Sequence, residues 1–145
     1  MHFQQINRTD PDKVFSVIYN SDATAMTVGE VVAWDYTTDA DGVSVVTPTT
    51  ALLPAVAGIV ADSSIAASAY GRIQIYGHCS NALVVGTTDV AAGDQLAASN
   101  GAKTLAKATV TGISAASDTA LTPFVAGQAY TTTASAAKKV FVRCM

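Results

Sequence analysis

The chain has 145 residues, a mass of 14.8 kDa and a formal net charge of −3, from 8 basic and 11 acidic residues. That length holds one domain with a real core and is too short for two ordinary ones. Charged residues make up only 13% and the bases are scattered, which excludes the concentrated basic face that nucleic-acid binding needs.

Residues 1–13, MHFQQINRTDPDK, are polar apart from Phe3 and Ile6 and read as an extended N-terminal arm. They lack the basic-then-apolar plan of a secretory signal. VFSVIY (14–19) predicts the first strand, NSDAT a turn and EVVAWD (30–35) a second strand rich in β-formers. TTDADG is a turn by its Asp and Gly content, leading to VSVVT (43–47). TPTTALLP, bounded by Pro48 and Pro54, reads as irregular, and AGIVA (57–61) as a strand. DSSIAASAY is expected to form a helical turn capped by Asp62 or Ser63. GRIQIYGHC (71–79) alternates, with Ile73 and Ile75 on one face and Arg72, Gln74 and Tyr76 on the other.

ALVVG, DQLAAS and ATVTGIS follow as further short strands, with NGAKT turning the chain between the last two. The closing KKVFVRCM sets Val140 and Val142 in alternation with Phe141 and Arg143. No stretch shows a long 3.6-residue apolar period. The longest apolar run, ALLPAVAGIVA, has 11 residues and contains Pro54, so it cannot span a bilayer as a helix. The prediction is a mainly β protein: a small β-barrel or β-sandwich of short strands, one domain over 14–145, with the arm before it. With 27 Ala and 18 Thr against 10 aromatics, its core is thin. Contacts between subunits are expected to complete the burial.

One phrase occurs twice. MTVGEVVAWD (26–35) is echoed by VAAGDQLAAS (90–99), so that Gly29 matches Gly93, Glu30 matches Asp94, Val32 matches Leu96 and Ala33 matches Ala97. AGIVAD is echoed by TGISAA, and Gly29 precedes Cys79 by 50 residues where Gly93 precedes Cys144 by 51. The correspondence predicts two related β-units, about 26–79 and 90–144. Within each phrase the glycine makes a bend and the acid satisfies backbone N–H groups as the chain enters a strand. That role is architectural and needs no catalysis.

The search for chemistry is negative. Asp39 and Asp41 precede Gly42 as in part of a calcium loop, but Pro48 stands where the loop requires glutamate. His78 and Cys79 are adjacent on a predicted strand, so they point to opposite faces and cannot share one metal ion. A hydrolase using His78 ranks last, because no Gly-x-Ser-x-Gly elbow accompanies it. No dinucleotide or phosphate-binding glycine motif is present. Neither an enzyme nor a cofactor or metal is expected. Cys79 and Cys144 read as two buried thiols, with a bridge between them left open if their strands are neighbours.

VAAGDQLAASNGAKT, then ATVTGISAAS, then the terminal KKVFVRCM strand resemble the bacteriophage capsid decoration (cement, head-stabilising) proteins. AGIVADSSIAASAYGRIQIYGHC is similar to the first half of the same family, so the resemblance covers most of residues 26–144. The arm before Val14 and the TPTTALLP insert depart from the pattern. The resemblance implies a structural protein of the virion, made in the host cytoplasm. It would bind the outer surface of the mature icosahedral head and bridge its capsomers. The implied partners are the major capsid protein and further copies of the chain, as a homotrimer, with no nucleic acid and no membrane. Phe3, Ile6 and Arg8 of the arm are the expected docking residues. The alternative is a receptor- or glycan-binding β-module on a fibre or cell surface. It would use Trp34, Tyr36, Tyr70 and Tyr76, the first two sharing a strand face.

Overall fold

A computed structural model describes residues 12–37, 42–86, 89–108 and 123–144. The fold is mainly β, with nine strands in one mixed sheet. In chain order, β1 (Lys13–Asn20), β3 (Val31–Trp34), β4 (Ser44–Val46) and β5 (Val56–Val60) precede a 16-residue strand, β7 (Tyr70–Val85). After it come β8 (Gln95–Ala98), β9 (Leu105–Lys107), β10 (Phe124–Ala126) and β11 (Ala136–Arg143). Two short strands, β2 (Met26–Thr27) and β6 (Ser64–Ile65), form a separate pair.

The large sheet closes on itself twice. β7 pairs with β1 as well as β5, and with β9 as well as β11. One ring runs β1–β4–β3–β5–β7 and the other β7–β11–β10–β8–β9, so the two share β7. The first ring uses the N-terminal part of β7, where Lys13 faces Gly77 and Tyr19 faces Tyr70. The second uses the C-terminal part, where Val142 faces Gly77 and Val84 faces both Ala136 and Leu105. Closure satisfies strand edges that would otherwise template pairing with other chains.

Each ring encloses its own apolar cluster. Ile18, Met26, Val32, Val45, Ile65 and Ile73 fill the first; Val84, Leu96, Leu105, Phe124, Val140 and Val142 fill the second. Val31 and Ile59 belong to the first ring by ladder pairing, yet their side chains join the second cluster. This explains why β3 and β5 read as unbroken apolar runs: strands buried on both faces lose alternation.

Three expectations need revision. DSSIAASAY makes no helical turn. Ser64–Ile65 is a strand instead, because Ile65 enters the first core and the Asn20 amide ties down its carbonyl at 3.1 Å. GRIQIYGHC and ALVVG are one strand, not two. Lys13 begins β1 and does not belong to the arm. Phe124–Ala126 takes beside β8 the place that β5 takes beside β3. TGISAA, most of ATVTGIS, Asp39 and Asp41 lie outside the described residues, as do Phe3, Ile6 and Arg8.

Candidate docking surface

The repeated phrase builds the same turn in both rings. Gly29 and Gly93 have φ of +88° and +92°. The N–H of Gly29 donates to Val60 O at 2.9 Å, and that of Gly93 to Ala126 O at 2.7 Å. Val60 N–H returns to Glu30 O at 2.8 Å, and Ala126 N–H to Asp94 O at 2.8 Å. The acids accept as their spacing implies. Thr27 N–H donates to Glu30 Oε2 and Ala91 N–H to Asp94 Oδ2, both at 2.8 Å. Each acid also meets a lysine: Lys107 lies 2.8 Å from Asp94, and Lys103 lies 4.0 Å from Glu30. Lys107 and the Ala91 N–H hold the Asp94 carboxyl below its usual range. Their role is to shape strand entries.

Lys103, placed by the NGAKT turn of the second ring, reaches across to the first. Its Nζ donates to Thr24 Oγ1 at 2.9 Å and Ala25 O at 3.3 Å, and it lies 3.5 Å from Asp22. Burial raises the Asp22 carboxyl pKa, but the Thr47 hydroxyl and N–H and the Lys103 charge outweigh it, and the net shift is downward. Asp22 and Asp35 line an open cleft of about 340 Å³ with Thr37, Thr47 and Leu52. Both carboxylates are already engaged there: Asp35 accepts from Thr37 Oγ1 at 3.0 Å and Ser21 Oγ at 3.4 Å. Among the described residues no three metal-ligating side chains gather.

The other side of the molecule has a different character. Along the outer face of β7 the ladder sets up the pairs Tyr19–Tyr70, Val17–Arg72, Phe15–Gln74 and Val14–Tyr76. The row continues onto β11 as Arg143–Tyr76 and Phe141–His78. Tyr70 is 69% exposed, Val17 63% and Phe15 45%, and Val14, Tyr76 and Phe141 are exposed as well. The Tyr19 and Tyr70 rings lie 5.2 Å apart, Tyr76 meets Phe141 edge-on at 5.5 Å, and the Arg72 guanidinium sits 6.0 Å from the Phe15 ring centre. Eight strand positions make this band about 26 Å long. At the junction of the rings a cleft of about 140 Å³ opens beside it, lined by Phe15, Val28, Gln74 and Cys79. Gln74 within the row is buried, so the exposed apolar side chains lie on either side of it along one face, a candidate interaction surface.

Sequence reasoning found Tyr70 and Tyr76 but missed Phe15, Val17 and Phe141. For Phe141 the signal was legible: in KKVFVRCM it falls in phase with Arg143, the outward phase. Trp34 and Tyr36 form no common platform. Trp34 packs against the first core, whereas Tyr36 is exposed and donates its hydroxyl hydrogen to Ala51 O at 2.6 Å. His78 faces Phe141 across the ladder while Cys79 is buried in the second core, as adjacent strand positions require.

The two cysteines are free. Cys79 faces Val140, but the Cys144 N–H donates to Ile75 O at 2.8 Å. Four positions of β7 separate those points, about 13 Å, beyond the roughly 7 Å between Cα atoms that a disulfide spans. Burial raises the Cys79 thiol and pushes Cys144 up to about 12 from a usual 9.0. Unfolded Cys144 therefore loses its proton near pH 9, and the folded chain keeps it until about 12. Its contribution to stability is whole below pH 9 and is lost as pH rises through that window, by about 1 kcal/mol per pH unit. Urea midpoints between pH 8 and 11 are expected to fall less steeply in Cys144→Ala than in the wild type. Parallel slopes would remove Cys144 as the cause.

No protein-family model matches this chain, and no curated protein matches it.

Proposed function

We propose that the chain is a capsid decoration protein, which binds the outer surface of a mature icosahedral phage head and bridges neighbouring shell subunits. On this reading it acts without catalysis, self-associates as a homotrimer and has the major capsid protein as its partner. The outward band from Tyr70 to Phe141 is the observation that carries the proposal. A chain with 13% charged residues and a strip of six exposed apolar side chains is suited to a surface covered by partners. Two closed rings locked through one long strand suit a rigid cement, because a part that resists lattice strain must not yield itself. Many copies on one head need only weak individual contacts, since multivalency multiplies them. Binding to the expanded lattice alone shifts the shell towards that state by mass action.

The glycan-binding alternative has less behind it, because Trp34 is packed inwards and Tyr70 and Tyr76 stand six β7 positions apart, about 20 Å. Co-sedimentation with expanded, undecorated heads is the direct test. Saturable binding at a stoichiometry fixed by the lattice symmetry is expected, with little binding to unexpanded heads. Absence of binding to expanded heads would sink the proposal.

A further inference from the structure

The exposed band is not uniform. At its Tyr70 end the cation Arg72 is neutralised: Asp62 Oδ1 accepts from its Nε at 3.0 Å and its Nη2 at 2.8 Å, and Asp62 Oδ2 accepts from its backbone N–H at 2.8 Å. At the other end, the edge-on pair of Tyr76 and Phe141 is bordered by Val14. Arg143 faces Tyr76 across the ladder, whereas Lys13 faces Gly77 and lines the cleft with Cys79. Among the described residues Arg143 has no carboxylate partner.

This end therefore pairs an aromatic centre with a cation, Arg143, that has no counter-ion among the described residues, in a chain whose net charge is −3. Aromatics and arginine together are the side chains that carry most binding energy at interfaces. Unneutralised rim charge selects a partner of opposite sign and speeds encounter. We infer that the Val14–Tyr76–Phe141 end, flanked by Arg143, is the docking focus, and that it takes an acidic segment of a shell subunit carrying an apolar anchor. The inference rests on the decoration reading and adds which end binds and what chemistry it selects. The Tyr70 end, with its charge already satisfied, contributes little to this contact.

The test titrates the full chain and three variants onto expanded, undecorated heads at two salt concentrations, with light scattering and thermal melts as controls. Phe141→Ala is expected to weaken binding by more than about tenfold. Arg143→Glu should weaken it by a comparable factor and flatten its salt dependence, while Tyr70→Ala changes affinity less than about twofold. Wild-type binding with Phe141→Ala unimpaired overturns the inference and leaves the decoration reading standing. No wild-type binding overturns both. If Phe141→Ala changes the oligomeric state without heads present, the patch belongs to a second copy and the inference falls. It falls equally if Phe141→Ala lowers the melting temperature as much as a core truncation, for then the patch is covered from within the chain.

Discussion

Replacing Gly29 by alanine is expected to remove most of the protein's stability, while the same change at Gly93 costs far less. Both glycines have φ near +90°, and alanine pays about 1–2 kcal/mol for that conformation at either place. Their surroundings differ. A Cβ on Gly93 meets open space, whereas one on Gly29 would overlap the Asn81 carbonyl oxygen and press on Leu83. The Gly29 carbonyl also accepts from Leu83 N–H at 2.8 Å, so the turn of the first ring lies directly on β7. Alanine there must push aside the strand that both rings share, which brings the total to roughly 3–5 kcal/mol. Urea denaturation of the two variants side by side reads the difference. Equal losses would show that the turn conformation alone, and not the approach to β7, is what requires glycine at 29.

That contrast marks how far the sequence could be read. The echo of MTVGEVVAWD in VAAGDQLAAS identified a bend used twice, and the hydrogen bonds of Gly29, Glu30, Gly93 and Asp94 match donor for donor. It could not reveal that one bend is packed and the other open, because the atom in the way belongs to Asn81, 52 positions later. Strands with alternation, such as KKVFVRCM, were legible from local pattern. Phe124–Ala126 was not, since three residues in an Ala- and Thr-rich stretch carry no period. The closing of the sheet was illegible for a deeper reason. GRIQIYGHC and ALVVG look like two strands because serine and asparagine separate them, and only pairing with β1 and β11 along the whole length keeps β7 continuous. The exposed band is a product of that closure: Phe15, Val17 and Phe141 come from opposite ends of the chain and meet only across β7.

Lys103 shows the same limit from the polar side. In NGAKT it follows a turn and looks solvated, yet its ammonium joins the second ring to Asp22, Thr24 and Ala25 of the first. Together with Val31 and Ile59, which pack into the second cluster, it couples the rings through side chains as well as through β7.

Phe124→Ala is therefore expected to destabilise both rings, although Phe124 touches only one core. Among the described residues it is the largest fully buried side chain, and Leu96 faces it across the ladder. Truncation leaves a cavity that surrounding β-sheet cannot collapse into, at a cost of about 3–5 kcal/mol. The counterpart position in the first ring, facing Val32, is Gly58, which packs against the Gln74 backbone and the Ile73 side chain. Trp34, the single tryptophan, packs against the first core and reports that ring alone, while far-UV circular dichroism reports all strands. Because the continuous β7, Lys103 and the side chains of Val31 and Ile59 join the rings, the two signals should move together in wild type and in Phe124→Ala, with the midpoint lowered equally in both. A Trp34 transition that stays at its wild-type midpoint while the dichroism splits into two steps would mean that the rings unfold separately. A rigid cement built from two locked rings requires the first outcome.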